Sequence, residues 1–202
     1  MREGHESSLD FSFITAPKSL KAKTEGPHWY AMRVFNRRVF KVKDEIESSG
    51  RETYMAMKTV DRIRNGGLVY EEVQIVPSLL FVKTDPVWLT GFKQDHFSDI
   101  LIYSDKPGGP PAPIPDSQME MFMFVTSVNK GQDVELLGDD FTCFRTGERV
   151  RVIDGIYKGA EGIVKRIRRD RKLLVAVNGV AIVAISHIPM QFLEKIETGE
   201  GV

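Results

Sequence analysis

From residue 28 onward the apolar positions alternate between two periods. WYAMRVF (29–35) places Tyr30, Met32 and Val34 on one face of a strand. Val39, Val42 and Ile46 then recur at helical spacing, with Asn36 positioned as the N-cap and Gly50 as a left-handed stop. TYMAMKTV (53–60) and LVYEEVQIV (68–76) read as two further strands, and Asn65-Gly66 between them supplies the positive φ angles of a tight hairpin. Pro77 interrupts the pattern before the apolar strand SLLFVK (78–83). Asp85-Pro86 offers a cap and a first-turn proline for a helix containing Val87, Trp88, Leu89 and Phe92. DILIYS (99–104) is another strand, and five of the chain's ten prolines follow within residues 107–115, which excludes helix and central strand there. Asp116 is placed to cap a last helix with Met119, Phe122 and Met123 on one face.

The order β-α-β-β-β-α-β-α predicts an α+β fold, an antiparallel sheet with helices packed on it. After residue 126 the texture changes. SVNKGQDVELLGDD is polar and acidic, as expected of an interdomain connection, and beyond it short strands follow in close succession: RVRVI, EGIVKRI, KLLVAV, VAIVAI and QFLEKI. Val150 and Val152 face inward while Arg149 and Arg151 face outward, and Asn178-Gly179 is a second hairpin signal. These features predict a small, closed, five-stranded β-barrel. The expected division is a flexible tail at 1–27, an α+β domain at 28–126, a linker at 127–143, the barrel at 144–197 and a short tail at 198–202. The first tail mixes polar, charged and glycine residues around one apolar patch, LDFSFI, able to dock on something.

Charge sharpens this division. The chain of 202 residues carries 28 Lys and Arg against 28 Asp and Glu, which excludes a uniformly basic nucleic-acid coat. Residues 144–202 nevertheless hold 11 basic against 7 acidic residues, leaving 17 against 21 in the remainder. The two parts are therefore of opposite sign. No apolar run reaches the length of a membrane helix, the single cysteine Cys143 cannot form an internal disulfide, and the first residues carry no signal-peptide core, so the expected location is cytoplasmic. Four scattered histidines and one cysteine provide no zinc cluster, and no phosphate-cradling glycine loop opens a helix. Ser186 and His187 are adjacent on a strand and point to opposite faces, wrong for a nucleophile and its base. A non-enzymatic protein without metal or cofactor is expected.

GERVRVIDGIYKGAEGIVKRIRRDRKLLV, Gly147 to Val175, closely resembles the KOW motif, with Gly147, Val150, Val152, Gly155, Gly159, Gly162 and Val164 in register. Upstream, Trp29-Tyr30 opening the first strand, a following helix, VPSLLFV and PAPIPDSQM before the last helix resemble the N-terminal (NGN) domain of NusG transcription elongation factors. The ending VNGVAIVAISHIPMQFLEKI and the long N-terminal segment resemble the specialised UpxY-type paralogues, which implies operon-specific antitermination of capsular polysaccharide clusters. One departure is visible: the family's Pro-Gly-Tyr is Pro77-Ser78-Leu79 here.

The resemblance implies an N-terminal domain that binds RNA polymerase through an apolar concavity, with Pro77, Leu79 and Phe81 matching the polymerase-facing strand. Alternation puts Leu79 and Phe81 on one side and Leu80 and Val82 on the other, and a core role for all four is the competing reading. Asn36, Arg37, Arg38 and Lys41 form a basic edge suited to non-template DNA or nascent RNA through salt-dependent backbone contacts, against the plainer reading of a solvated helix face. Ile156 and Tyr157, in the turn after Asp154-Gly155, match the KOW loop that in the family contacts a ribosomal protein or termination factor. Lys165, Arg166, Arg168, Arg169, Arg171 and Lys172 are the densest basic stretch, either a solvated hairpin tip or a contact for RNA or an acidic partner. A monomer without membrane contact is expected, and a ribosome-associated RNA-binding KOW protein is the alternative of a different class.

Overall fold

The computed structural model describes residues 26–96, 98–137, 147–167, 170–177 and 179–196. The tail patch LDFSFI, Arg168, Arg169, Asn178 and the expected short C-terminal tail lie outside these residues.

The first unit is built on a four-stranded antiparallel sheet in the order β2-β5-β1-β6, comprising β1 (His28–Val34), β2 (Glu52–Tyr54), β5 (Leu79–Thr84) and β6 (Ile100–Ile102). Both faces are covered. Tyr30, Met32, Val34, Leu80 and Val82 pack against helices α1 (Val39–Ser48) and α2 (Pro86–Asp95) through Val39, Val42, Ile46, Leu89 and Phe92. Trp29, Ala31, Leu79 and Phe81 meet Met119, Phe122 and Val125 of α3 (Asp116–Ser127) on the opposite face. The expected strand 53–60 is divided. Tyr54 stays in the main sheet, its ring 6.4 Å from those of both Phe81 and Phe122. Beyond Ala56 the chain leaves as β3 (Met57–Arg64), which pairs with β4 (Gly67–Gln74) in a separate two-stranded sheet.

Local chemistry explains most of the boundaries. Asp85 accepts the Trp88 amide at 2.8 Å and Pro86 occupies the first turn of α2, as expected. Gly50 (φ +80°) follows the end of α1, and Asn65 (φ +51°) with Gly66 (φ +76°) turns the hairpin. Two expected caps fail. Arg38 precedes α1, without a side-chain cap, because the Asn36 amide is used elsewhere; Pro115 precedes α3, so Asp116 lies in its first turn.

The second unit is a six-stranded antiparallel sheet, not the closed five-stranded barrel expected. Its order is β12 (Leu193–Lys195), β8 (Glu148–Val152), β9 (Glu161–Ile167), β10 (Asp170–Val177), β11 (Ala181–Ile185) and β7 (Val134–Leu136). All five expected strands are present. The sixth, β7, comes from the acidic stretch read as linker and pairs with the outer edge of β11, leaving β7 and β12 as the two edges. Between α3 and β7 lies only a short 3-10 turn (Val128–Gly131) and two further residues. Gly131 (φ +67°) passes so close to β3 that a Cβ there would lie 2.7 Å from the Met57 carbonyl oxygen. The two units share one core: Phe122 and Val125 belong to the same buried cluster as Val150, Leu173 and Val175, and the Glu161 amide points at Met121 Sδ at 3.5 Å. No helix among the described residues is long and apolar enough to cross a membrane.

Candidate functional site

The expected basic edge forms at the turn from β1 into α1, and one buried acid organises it. Asp99 is 7% exposed and accepts the Asn36 amide at 2.9 Å as well as Arg38 Nη1, while its backbone oxygen accepts the Phe35 amide at 2.8 Å. A carboxylate this buried requires such donors. Asn36 and Arg37 both adopt φ +57°, a left-handed pair costly for non-glycine residues and held here by those contacts. Asn36 and Arg38 therefore have their side chains occupied, whereas Arg37 and Lys41 are exposed. Phe35 (43% exposed) and Phe40 (52% exposed) flank them. Two aromatic faces beside two cations form a surface able to stack unpaired bases and neutralise backbone phosphates. The sequence reading missed both phenylalanines, although Phe-Asn-Arg-Arg-Val-Phe-Lys interleaves aromatic and basic residues in the way that signals such a platform.

Pro77, Leu79 and Phe81 are separated by the fold. Pro77 is exposed at the turn into β5, but Leu79 and Phe81 are 2% and 1% exposed beneath α3, with the Phe81 and Phe122 rings 5.4 Å apart. The core reading describes these two side chains, because helices cover both faces of β5. Ser78, replacing the family's glycine, keeps the left-handed backbone (φ +64°). Gln74 clamps it, accepting the Ser78 amide at 3.0 Å and donating to the Leu79 carbonyl at 3.2 Å.

In the second unit the expected pair also divides. Ile156 is 63% exposed, but Tyr157 is 5% exposed and its hydroxyl donates to Asp133 at 3.3 Å. Burial and the Asp133 charge push the Tyr157 phenol well above its ordinary value. Ile153, 44% exposed, joins Ile156 on the outer surface of this turn, a residue that strand alternation alone did not single out. Of the basic stretch, Lys172 pairs with Glu135 of β7, Arg171 contacts Met190 Sδ at 3.3 Å, and Arg166 is exposed.

Residues 27–123 match the family model for NusG, described as a transcription termination factor. The transcription termination/antitermination protein NusG of Borreliella burgdorferi is 25% identical over 186 residues, covering 83% of this chain and 98% of that protein. A solved structure described as domain interaction in Thermotoga maritima NusG aligns with 18% identity over 85% of this chain and 98% of the other, at a TM-score of 0.48. The strands, helices and turn that carry the basic edge fall within the matched residues, and the chain is accordingly NusG-like, with a NusG-family domain spanning residues 27–123.

Proposed function

We propose that the protein is a transcription elongation regulator that binds RNA polymerase through residues 28–126 and suppresses pausing or termination. The observation that carries this reading is the NusG family match over residues 27–123. The likeness to the Borreliella protein, which extends across the second unit, supports it. Specialisation for one operon of the capsular type rests on the UpxY-like ending and is the finer part of the proposal.

The physical role is that of a brace. A polymerase bridged by this domain must break an additional interface, of ordinary size at about 800 Å² on each partner, before it opens or dissociates. Pro77 and the Ser78 turn lie at the accessible edge of the proposed polymerase contact, and Leu79 and Phe81 support it from below by holding α3. Arg37 and Lys41 take backbone phosphates of non-template DNA or nascent RNA, with Asn36 and Arg38 fixing the turn that presents them. Ile156 and Ile153 form the apolar contact for a ribosomal protein or termination factor, and Tyr157 anchors their turn.

The test is co-purification with RNA polymerase from lysate, followed by single-round transcription on a template with a pause and a terminator. The intact protein is expected to bind polymerase and increase read-through. Arg37→Glu with Lys41→Glu should leave unfolding unchanged and lower the salt-dependence slope of single-strand binding by about 2. Recovery with ribosomes and not with polymerase would refute the proposal in favour of the RNA-binding alternative.

A further inference from the structure

The β3-β4 hairpin is a two-stranded sheet with an apolar face that nothing among the described residues covers. Every residue from Asp61 to Tyr70 is exposed, including Ile63 at 80%, Leu68 at 58% and Tyr70 at 69%. The register makes these three one surface. Ile63 faces Leu68 and Asp61 faces Tyr70, so Ile63, Leu68 and Tyr70 project from the same side. The other side is polar, with Arg62 and Arg64 both on Glu71. The two-residue turn closes on Arg64 and Gly67, which alternation makes a hydrogen-bonded pair. Leu68 and Tyr70 then direct their amides and carbonyls away from β3, toward an open edge. A two-stranded sheet with one apolar face lacks the third strand that ordinarily stabilises it.

We infer that residues 9–13 of the same chain supply that strand, adding along the β4 edge with Leu9, Phe11 and Phe13 continuing the apolar face. Three observations select this occupant. Leu-Asp-Phe-Ser-Phe alternates with period two, so its apolar residues fall on one face and Asp10 and Ser12 on the other. The chain reaches: Gly26 and Pro27 line one cleft with Glu52 at the start of β2, and Ile63 lies eleven residues beyond Glu52. At roughly 3.3–3.6 Å per extended residue the hairpin tip is within about 40 Å of Gly26, a span that the thirteen residues from Phe13 to Gly26 can bridge. Charge is complementary as well, because Lys18, Lys21 and Lys23 return past a face that carries Asp61 and Glu72. Pro17 ends the added strand before that return.

Native-state hydrogen exchange on the full chain tests the inference. The Leu68 and Tyr70 amides should exchange about tenfold more slowly in the unaltered protein than in Phe11→Ser with Phe13→Ser, which changes no residue of the described core. In a Cys143→Ser background, Phe11→Cys with Leu68→Cys should oxidise to an intramolecular disulfide. Phe11→Cys with Val69→Cys, on the opposite face, should not. Equal exchange in the two proteins overturns the inference. Protection that rises with protein concentration assigns the face to a second copy, and protection that appears only when polymerase is added assigns it to that partner; either result overturns it too.

Discussion

Gly162 offers the sharpest check of how the second unit is held together. A Cβ built there lies 2.2 Å from the Leu174 carbonyl oxygen, 3.0 Å from Leu173 Cδ1 and 3.1 Å from the Leu174 carbonyl carbon. An ordinary carbon–oxygen contact needs roughly 1 Å more, and the atom in the way is backbone on the neighbouring strand β10, which no rotamer change can move. Gly162→Ala must therefore part β9 from β10. Overpacking costs about 1–3 kcal/mol and a weakened ladder hydrogen bond adds about 1 kcal/mol, so the loss should be about 2–4 kcal/mol. In urea, with a slope of about 2 kcal/mol per molar, the midpoint should fall by about 1–2 M. Because Leu173 belongs to the cluster that includes Phe122 of α3, near-ultraviolet and far-ultraviolet signals should fall together. A loss below about 0.5 kcal/mol would refute the reasoning, since it would mean that the two strands are free to separate there.

Phe122→Ala empties the centre of the shared core and should cost about 3–5 kcal/mol by urea unfolding, with the two units losing structure in one transition. Ser78→Gly removes a side chain from a left-handed position while keeping the Gln74 clamp on the backbone, and should be neutral or raise stability by up to about 1 kcal/mol; Ser78→Val should lower it. Tyr30, Tyr54 and Tyr157 all have phenols raised above their ordinary value of 10.0, principally by burial. Each is neutral in the fold when the unfolded chain already ionises, so the stability they confer is complete below pH 10 and is lost as pH rises further. Unfolding midpoints should therefore drop between about pH 9.5 and 11, and Tyr157→Phe should make that drop shallower.

Periodicity located nearly every strand and helix because Val39, Val42 and Ile46, or Val150 and Val152, have a single buried face. It failed where burial is two-sided. Leu79 and Phe81 alternate with Leu80 and Val82, yet all four are buried, since α3 covers one face of β5 and α1 with α2 the other. Long-range partners were equally invisible: Asn36 is a good cap by identity, but Asp99, sixty-three positions away, takes its amide. The basic edge was legible from its charges, whereas the difference between presented Arg37 and tethered Arg38 depends on that acid. The sixth strand was missed because Val134–Leu136 is too short and too acidic in context to register, and it is a strand only by virtue of the β11 edge beside it.

That edge strand separates two boundaries that usually coincide. By covalent order β7 stands next to the N-terminal domain; by hydrogen bonding it completes the C-terminal sheet, opposite Val183 and Ile185. A fragment beginning at residue 144 would leave β11 with an unsealed, β-branched edge prone to pairing with other molecules. One beginning near Asn129 would carry its own seal. Conversely, a protease that cuts within residues 138–146 would sever the chain without releasing either piece, since the first fragment would stay stitched into the sheet of the second.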